Sequence, residues 1–483
     1  MIKMRREQDS LGERAVPEEA YYGIQTVRAM ENFPVSGRHE RPELVRAYAL
    51  VKKAAALVNM EIGYLDTVRG NAIVQAADEI PSGTFADQFP VDLFQAGAGT
   101  SFNMNVNEVI ANRALEILGR ERGAYGYLSP NDHVNRSQSS NDTFPTASHI
   151  AILNEADRLN TVLLNLAHAL ERKGDEFSSL PKSGRTHLMD ALPVRLGDEF
   201  RAYGTAIRRA AERIQQRSDD LREVAIGGTA TGTGANTPLH YREKMVGKLS
   251  ALTSRDLHPA RDSMETLQSR APMAAFSGAL RELAGELIRI ANDLRLMASG
   301  PTAGFSEIML PPVQPGSSIM PGKFNPVMAE CLDMICFQIV GYDTTVALAS
   351  QAGQFDLNVM TPVMTANILE SVALLNNYLP VFQSRCIDGI LADAERMRTG
   401  AELNPSLVTL LTPGTGYLMA AELAKEAMEK RQSIRDLVVE KGMMSEQEAD
   451  TLFDLHAASD NRYRNQSNRD ESSDTSKVGG EER

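Results

Sequence analysis

Only three cysteines, Cys331, Cys336 and Cys386, occur in 483 residues, an odd number with neither CxxC nor zinc-finger spacing. A disulfide framework and a structural zinc site are thereby excluded, and reduced thiols suit a cytoplasmic protein. Basic charge is also scarce: 50 Lys and Arg stand against 63 Asp and Glu, a formal net charge of −13. A broad phosphate-binding surface, and with it nucleic-acid binding, is not expected. Nowhere do about 18 apolar residues follow one another without interruption. The opening Met1-Ile-Lys-Met-Arg-Arg-Glu-Gln-Asp-Ser10 has no apolar signal core, so neither a membrane span nor an export signal is expected. No internal repeat, Walker motif or Rossmann fingerprint is found, and strand-type alternation of Val and Ile is rare.

What the chain has is helical periodicity. Leu159, Leu163, Leu166 and Leu170 recur at spacings of four and three, as do Leu280, Leu283, Leu287, Ile290 and Leu294, and Ile368, Val372, Leu375 and Leu379. Each set lines one face of a helix. Several long amphipathic helices bury their stripes most economically against one another, which predicts a mainly α fold with a central long-helix bundle over 139–392. Residues 1–138 carry turn signals at Pro81-Ser-Gly83 and Gly97-Ala-Gly99 and read as an N-terminal mixed helical cap of short elements. The pattern breaks near Thr399-Gly400 and Pro413-Gly414, giving a small C-terminal helical domain over 393–460. The almost wholly polar stretch 461–483 reads as a disordered tail.

Four segments carry polar chemistry. Gly316-Ser-Ser-Ile-Met-Pro-Gly-Lys-Phe-Asn325 is a loop punctuated by Gly and Pro, able to hold a small carboxylate with Lys323 as point charge and Asn325 as directional partner. Ala98-Gly-Thr-Ser-Phe-Asn-Met-Asn-Val-Asn-Glu108 places hydroxyls and amides just before a helix, where an anion is favoured but where an ordinary N-cap looks the same. Ser137-Gln-Ser-Ser-Asn-Asp-Thr-Phe-Pro-Thr146 reads as another capped turn, and Gly184-Arg-Thr-His-Leu-Met-Asp190 sets Thr186 beside His187. The run Gly227-Gly-Thr-Ala-Thr-Gly-Thr-Gly-Ala-Asn236 lacks the GK[ST] ending of a phosphate loop.

Taken together these segments resemble the conserved blocks of the aspartase/fumarase superfamily. The signature Gly-Ser-Ser-x-Met-Pro-x-Lys-x-Asn is matched at every fixed position, and similarity runs in order from about Arg5 to about Leu455. The resemblance implies three mainly helical domains and a homotetramer whose active sites draw on several subunits. It implies a lyase that removes a proton beta to the leaving group of a small dicarboxylate, with no cofactor and no metal. By the same correspondence Ser317 is the catalytic base. Thr100, Ser139, Ser140, Ser318, Lys323 and Asn325 hold carboxylates, Asn141 reaches the departing group, and Thr186 and His187 serve the second carboxylate and the leaving group, His187 with a catalytic part. The glycine-rich run resembles a structural turn.

The leaving group is read from finer features. Tyr21-Tyr-Gly-Ile-Gln-Thr26, Gly99-Thr-Ser101, Ser129-Pro-Asn131 and Val327-Met328 are similar to the ammonia-eliminating branch, a carbon–nitrogen lyase acting on L-aspartate. Ser139-Ser140-Asn141 is the form found in the branch that hydrates fumarate to L-malate. The first reading is preferred and the second kept as its alternative. A non-catalytic structural role would accord with loss of the base, whereas Ser317, Lys323, Asn325 and His187 are all present.

Overall fold

The structure is a computed structural model and describes residues 3–460; the polar tail expected over 461–483 lies outside the described residues. The chain opens with an antiparallel hairpin, β1 (Met4–Asp9) and β2 (Gly12–Pro17). Helices α1 (Ile24–Asn32), α2 (Pro42–Glu61), α3 (Thr67–Glu79), α4 (Thr100–Ile117) and α5 (Ser140–Glu176) follow. A second hairpin, β3 (Pro181–Thr186) and β4 (Met189–Arg195), leads into α6 (Leu196–Asp220). Short strands β5 (Glu223–Val224) and β6 (His258–Pro259) pair in parallel on either side of α7 (Tyr241–Thr253). Then come α8 (Ser263–Gln268), α9 (Ala271–Met297), β7 (Ile308–Met309), α10 (Val327–Gln351) and α11 (Thr361–Phe382). Strand β8 (Leu391–Ala392) pairs with β7, and short helices from α12 (Ala394–Glu402) to α17 (Leu455–Ala458) complete the described chain. With 17 α-helices and four two-stranded sheets among the described residues, the fold is mainly α, as the periodicity predicts.

Two compact units form, each from separated stretches of sequence. Of the described residues, the first comprises 3–162, Arg209–Gly285 and Met334–Tyr378; the second comprises Leu163–Arg208, Glu286–Asp333 and 379–460. The long helices α5, α6, α9, α10 and α11 contribute residues to both. All three leucine-rich stripes are buried, with no member more than 1% exposed. The C-terminal helices enclose their own apolar cluster, in which Leu407, Leu411, Leu423, Leu437, Val438 and Phe453 meet.

Three local expectations differ from what is observed. The N-terminal segment contains two long helices, α2 and α4, rather than short elements alone. Alanine fills much of α2, and α4 buries Asn103, Asn105, Asn107, Glu108 and Asn112 beside its apolar residues, so neither shows a clean stripe. Helix α5 begins at Ser140, before its leucine periodicity starts. Thr399-Gly400 lies inside α12 rather than at a break, because Asp393 caps that helix by accepting from Arg396 N and the short helix tolerates one glycine. Helix α10 is long and apolar enough, by length and composition, to cross a membrane, and Met334, Phe337 and Leu348 on it are exposed.

Beneath α4 lies an uncommon group, the buried carboxyl of Glu40. Gln95 Nε2 donates to its Oε1 at 3.1 Å, while Gln95 Oε1 accepts from Phe102 N at 2.8 Å in the first turn of α4. Burial, and secondly the negative charge of Asp92, push the Glu40 pKa up to about 8. A carboxyl that binds its proton more tightly when folded favours the folded state below the unfolded pKa, and that stability is lost as pH rises through the folded value. Glu40→Gln is therefore expected to leave the unfolding free energy near pH 4 almost unchanged. At pH 8.5 it should raise that energy by up to a few kcal/mol, each pKa unit being worth about 1.4 kcal/mol. Denaturant titrations at the two pH values measure the difference.

Candidate active site

In the first unit, two helix N-termini meet. The hydroxyls of Thr100, first residue of α4, and Ser140, first residue of α5, lie 2.9 Å apart. Backbone N–H groups in a first turn lack partners within the helix and carry the positive end of its dipole, so the junction favours an anion. Gly99 makes the approach possible. It stands at φ +67°, a conformation that costs an L side chain, and a Cβ there would lie 1.9 Å from the Phe144 ring. It also supplies no side-chain cap to α4.

The neighbouring residues are held by one carboxylate. Asp142 is fully buried; its Oδ1 accepts from Ser139 N at 3.0 Å, and its Oδ2 accepts from Gly227 N at 3.0 Å and Thr229 N at 2.9 Å. Asn141 Nδ2 donates to Ala230 O at 2.8 Å, and Ser139 Oγ accepts from Asn141 N at 3.2 Å. The glycine-rich turn thus acts as the seat of the Ser139–Asn141 segment. Burial pushes the Asp142 pKa up to about 6, against the opposing pull of its three N–H donors and of Lys52. Lys52 is itself buried, donating to Asn103 Oδ1, Asn135 Oδ1 and Gln138 Oε1 at 2.8, 3.0 and 2.9 Å. Desolvation lowers its pKa to about 7, opposed by the charge of Asp142.

In the second unit, Thr186 and His187 occupy the tip of the β3–β4 hairpin and are exposed. Thr186 pairs with Met189, and the two residues between them, His187 and Leu188, have φ of +55° and +60°. Such a turn matches the strand twist and is usually made by Asn-Gly, so His and Leu hold it at a conformational cost. Leu188 and Met189 are exposed as well.

The third group, also in the second unit, is the loop that enters α10. Gly316 N donates to Lys323 O at 3.0 Å, and a Cβ on Gly316 would lie 2.3 Å from that oxygen. Asn325 Nδ2 donates to Gly316 O at 2.6 Å and Lys323 Nζ donates to Asn325 Oδ1 at 2.6 Å. Ser317 Oγ accepts from Ile319 N at 3.3 Å and from Met320 N at 3.0 Å. Donors aimed at a hydroxyl oxygen favour its deprotonated form. Ser318 and Lys323 are exposed.

Four of the sequence-derived residues, Thr100, Ser139, Ser140 and Asn141, are therefore brought together in the first unit. Ser317, Ser318, Lys323 and Asn325 share one loop, and Thr186 and His187 share one turn, in the second. Sequence reasoning missed Lys52 and Asp142. Asp142 was within a quoted block, and a lysine amid the apolar Val51 and Ala54-Ala55-Ala56 was the available signal for burial at Lys52. Asp142→Ala would leave the N–H groups of Ser139, Gly227 and Thr229 without this acceptor, at a cost of about 1–3 kcal/mol for each that finds no other partner. A fall in denaturation midpoint of corresponding size is expected in urea titration of the purified variant.

Most of the chain has close counterparts among known proteins. A lyase family model matches residues 12–341, and a fumarase C C-terminus model matches residues 407–457. Aspartate ammonia-lyase of Bacillus subtilis is 48% identical over 449 residues, covering 93% of this chain and 94% of that protein. The class II fumarate hydratase of Corynebacterium efficiens is 46% identical over 462 residues, covering 94% and 96%. Among solved structures, the fumarate lyase:delta crystallin of Brucella melitensis superimposes with a TM-score of 0.92 at 46% identity, over 95% of this chain and all of that one. On the match of both models, these identities and the shared fold, the chain belongs to the aspartase/fumarase superfamily and is a lyase.

Proposed function

We propose that this lyase is an aspartate ammonia-lyase, eliminating ammonia from L-aspartate to give fumarate. The observation that carries the reading is the 2.9 Å meeting of Thr100 and Ser140 at two helix N-termini, a site built for one carboxylate of a small dicarboxylate. The reacting C–H lies beside such a carboxylate, and when the proton leaves, the electron pair left on carbon spreads its negative charge onto the carboxylate oxygens. Thr100, Ser139, Ser140 and Ser318 donate to that charge. Removal of one donor of this kind costs about 2.7–4 kcal/mol of barrier stabilisation.

Ser317 is the base. The two backbone N–H groups that meet its Oγ help it to carry negative charge, and exclusion of water when the loop closes on substrate strengthens their effect. Lys323 and Asn325 hold a carboxylate: Asn325 Oδ1 takes one of the three ammonium protons and leaves the other two for the ligand. Asn141 reaches the departing ammonia, and Thr186 and His187 serve the second carboxylate and the leaving group. The aspartate ammonia-lyase names of the Bacillus relatives support the choice of substrate. The class II fumarate hydratases, nearly as similar, support the second reading, in which water is lost from L-malate.

The active form we propose is a homotetramer in the cytoplasm, with sites completed by neighbouring subunits. Exposure of Met334, Phe337 and Leu348 on α10, and of Leu188 and Met189 beside His187, supports an assembly that buries these faces.

Formation of fumarate from L-aspartate and from L-malate, followed by ultraviolet absorbance, distinguishes the two substrates. Turnover of aspartate is expected, and turnover of malate alone would overturn the preferred reading. Ser317→Ala is expected to abolish turnover while preserving the folded assembly; an active variant would remove Ser317 as the base.

A further inference from the structure

The hairpin that carries Thr186 and His187 is tied down by a group of four charges, of which Lys182 and Glu307 are buried and Arg185 and Glu199 partly buried. Glu307 is 5% exposed and lies immediately before β7, on the stretch of chain that runs on into the Ser317 loop. Its Oε2 lies 2.8 Å from Lys182 Nζ and accepts from Arg185 NH1 at 3.0 Å, while Oε1 accepts from Arg185 NH2 at 2.6 Å. Lys182 Nζ also donates to Glu199 Oε2 at 2.9 Å, and the Arg185 guanidinium stacks 4.2 Å from the centre of the Phe305 ring. Two cations and two carboxylates balance, so the buried Lys182 and Glu307 sit in a group without net charge.

Its geometry is specific to this hairpin. Lys182 and Arg185 stand three apart on β3 and in a flat strand would point to opposite faces. The register shifts between Ser183 and Arg185, where Gly184 faces both Ala191 and Leu192, and a bulge of this kind bends and twists a strand. A Cβ on Gly184 would lie 2.6 Å from Leu192 O, so the irregularity requires glycine. The extra residue is on β4, and both long cationic side chains of β3 close on the same carboxylate. Arg185 directly precedes Thr186, and the next two residues adopt positive φ, a conformation that persists only where the surroundings impose it.

We propose that Glu307 is a positioning residue for the reaction: by clamping Lys182 and Arg185 it fixes the His187 turn relative to the chain segment that leads to the Ser317 loop. The proposal rests on the assignment of His187 to the substrate site. Glu307 touches no substrate and acts through the hairpin, and a displacement of about 1 Å at such a site costs on the order of 100-fold in rate.

The test is a double-mutant cycle on the intact protein, reading kcat and KM for the substrate that it turns over. Glu307→Gln is expected to lower kcat/KM by about 10- to 100-fold, and Glu307→Asp, which retains the charge on a shorter arm, to recover part of the loss. In a His187→Ala background, Glu307→Gln is expected to add less than about a further 2-fold, because the turn it positions no longer contributes. If the two losses instead multiply, or if Glu307→Gln has wild-type kinetics, the positioning role is overturned while the site assignment stands. If His187→Ala alone has wild-type kinetics, the site assignment itself fails and the proposal with it. Should Glu307→Gln not fold, Glu307→Asp takes its place in the cycle with the same criteria.

Discussion

Backbone N–H groups in the first turn of a helix have no acceptor within that helix, and this protein makes two such turns meet at Thr100 and Ser140. Helix starts that hold a carboxylate, as proposed for Thr100 and Ser140, need no buried cation pointed at it, which suits a chain with a formal charge of −13. It does need the two starts to be fixed within a fraction of an ångström. Gly99, with no Cβ to strike Phe144, permits the approach, and the Asp142 carboxylate fixes Ser139 against the glycine-rich turn.

Fixing them costs stability. Asp142, Lys52 and Glu40 are all held away from water, and burial moves each toward its neutral form. The cost is contained by amides: Asn103, Asn135 and Gln138 accept all three protons of the Lys52 ammonium, and Asn135 Oδ1 also accepts from Asn103 and Asn107. With its three protons satisfied, the Lys52 ammonium is held in one arrangement, because a shift would leave a buried donor without its acceptor. The second unit uses ions for the same end, with Lys182, Arg185, Glu199 and Glu307 neutralising one another beside the His187 turn.

Much of this was legible in sequence where one residue type has one physical use. Leucines spaced by three and four could serve only a helix stripe, and all are buried. The blocks around Thr100, Ser139 and Ser317 lie at a helix start or in a loop, as their Gly, Ser and Asn content suggested, whereas the hairpin around Thr186 had no such signal. A helix was expected after the Ala98–Glu108 block, but that α4 already begins at Thr100 was not legible, because its buried asparagines break the amphipathic pattern and their partners are far away in sequence.

By itself the sequence determined that the protein is a mainly helical lyase of the aspartase/fumarase superfamily, and it nominated the residues of the site, because helix stripes and short motifs are encoded by neighbours along the chain. Only the tertiary structure decided that Thr100 and Ser140 touch, that Asp142 joins Ser139 to Gly227 and Thr229, and that Glu307 is shared by Lys182 and Arg185. Apart from Asp142 to Ser139, three positions apart, those contacts join residues 40 to 125 positions apart. No local periodicity encodes such pairs, since what selects them is the need of each buried charge or N–H group for a partner once the helices have packed.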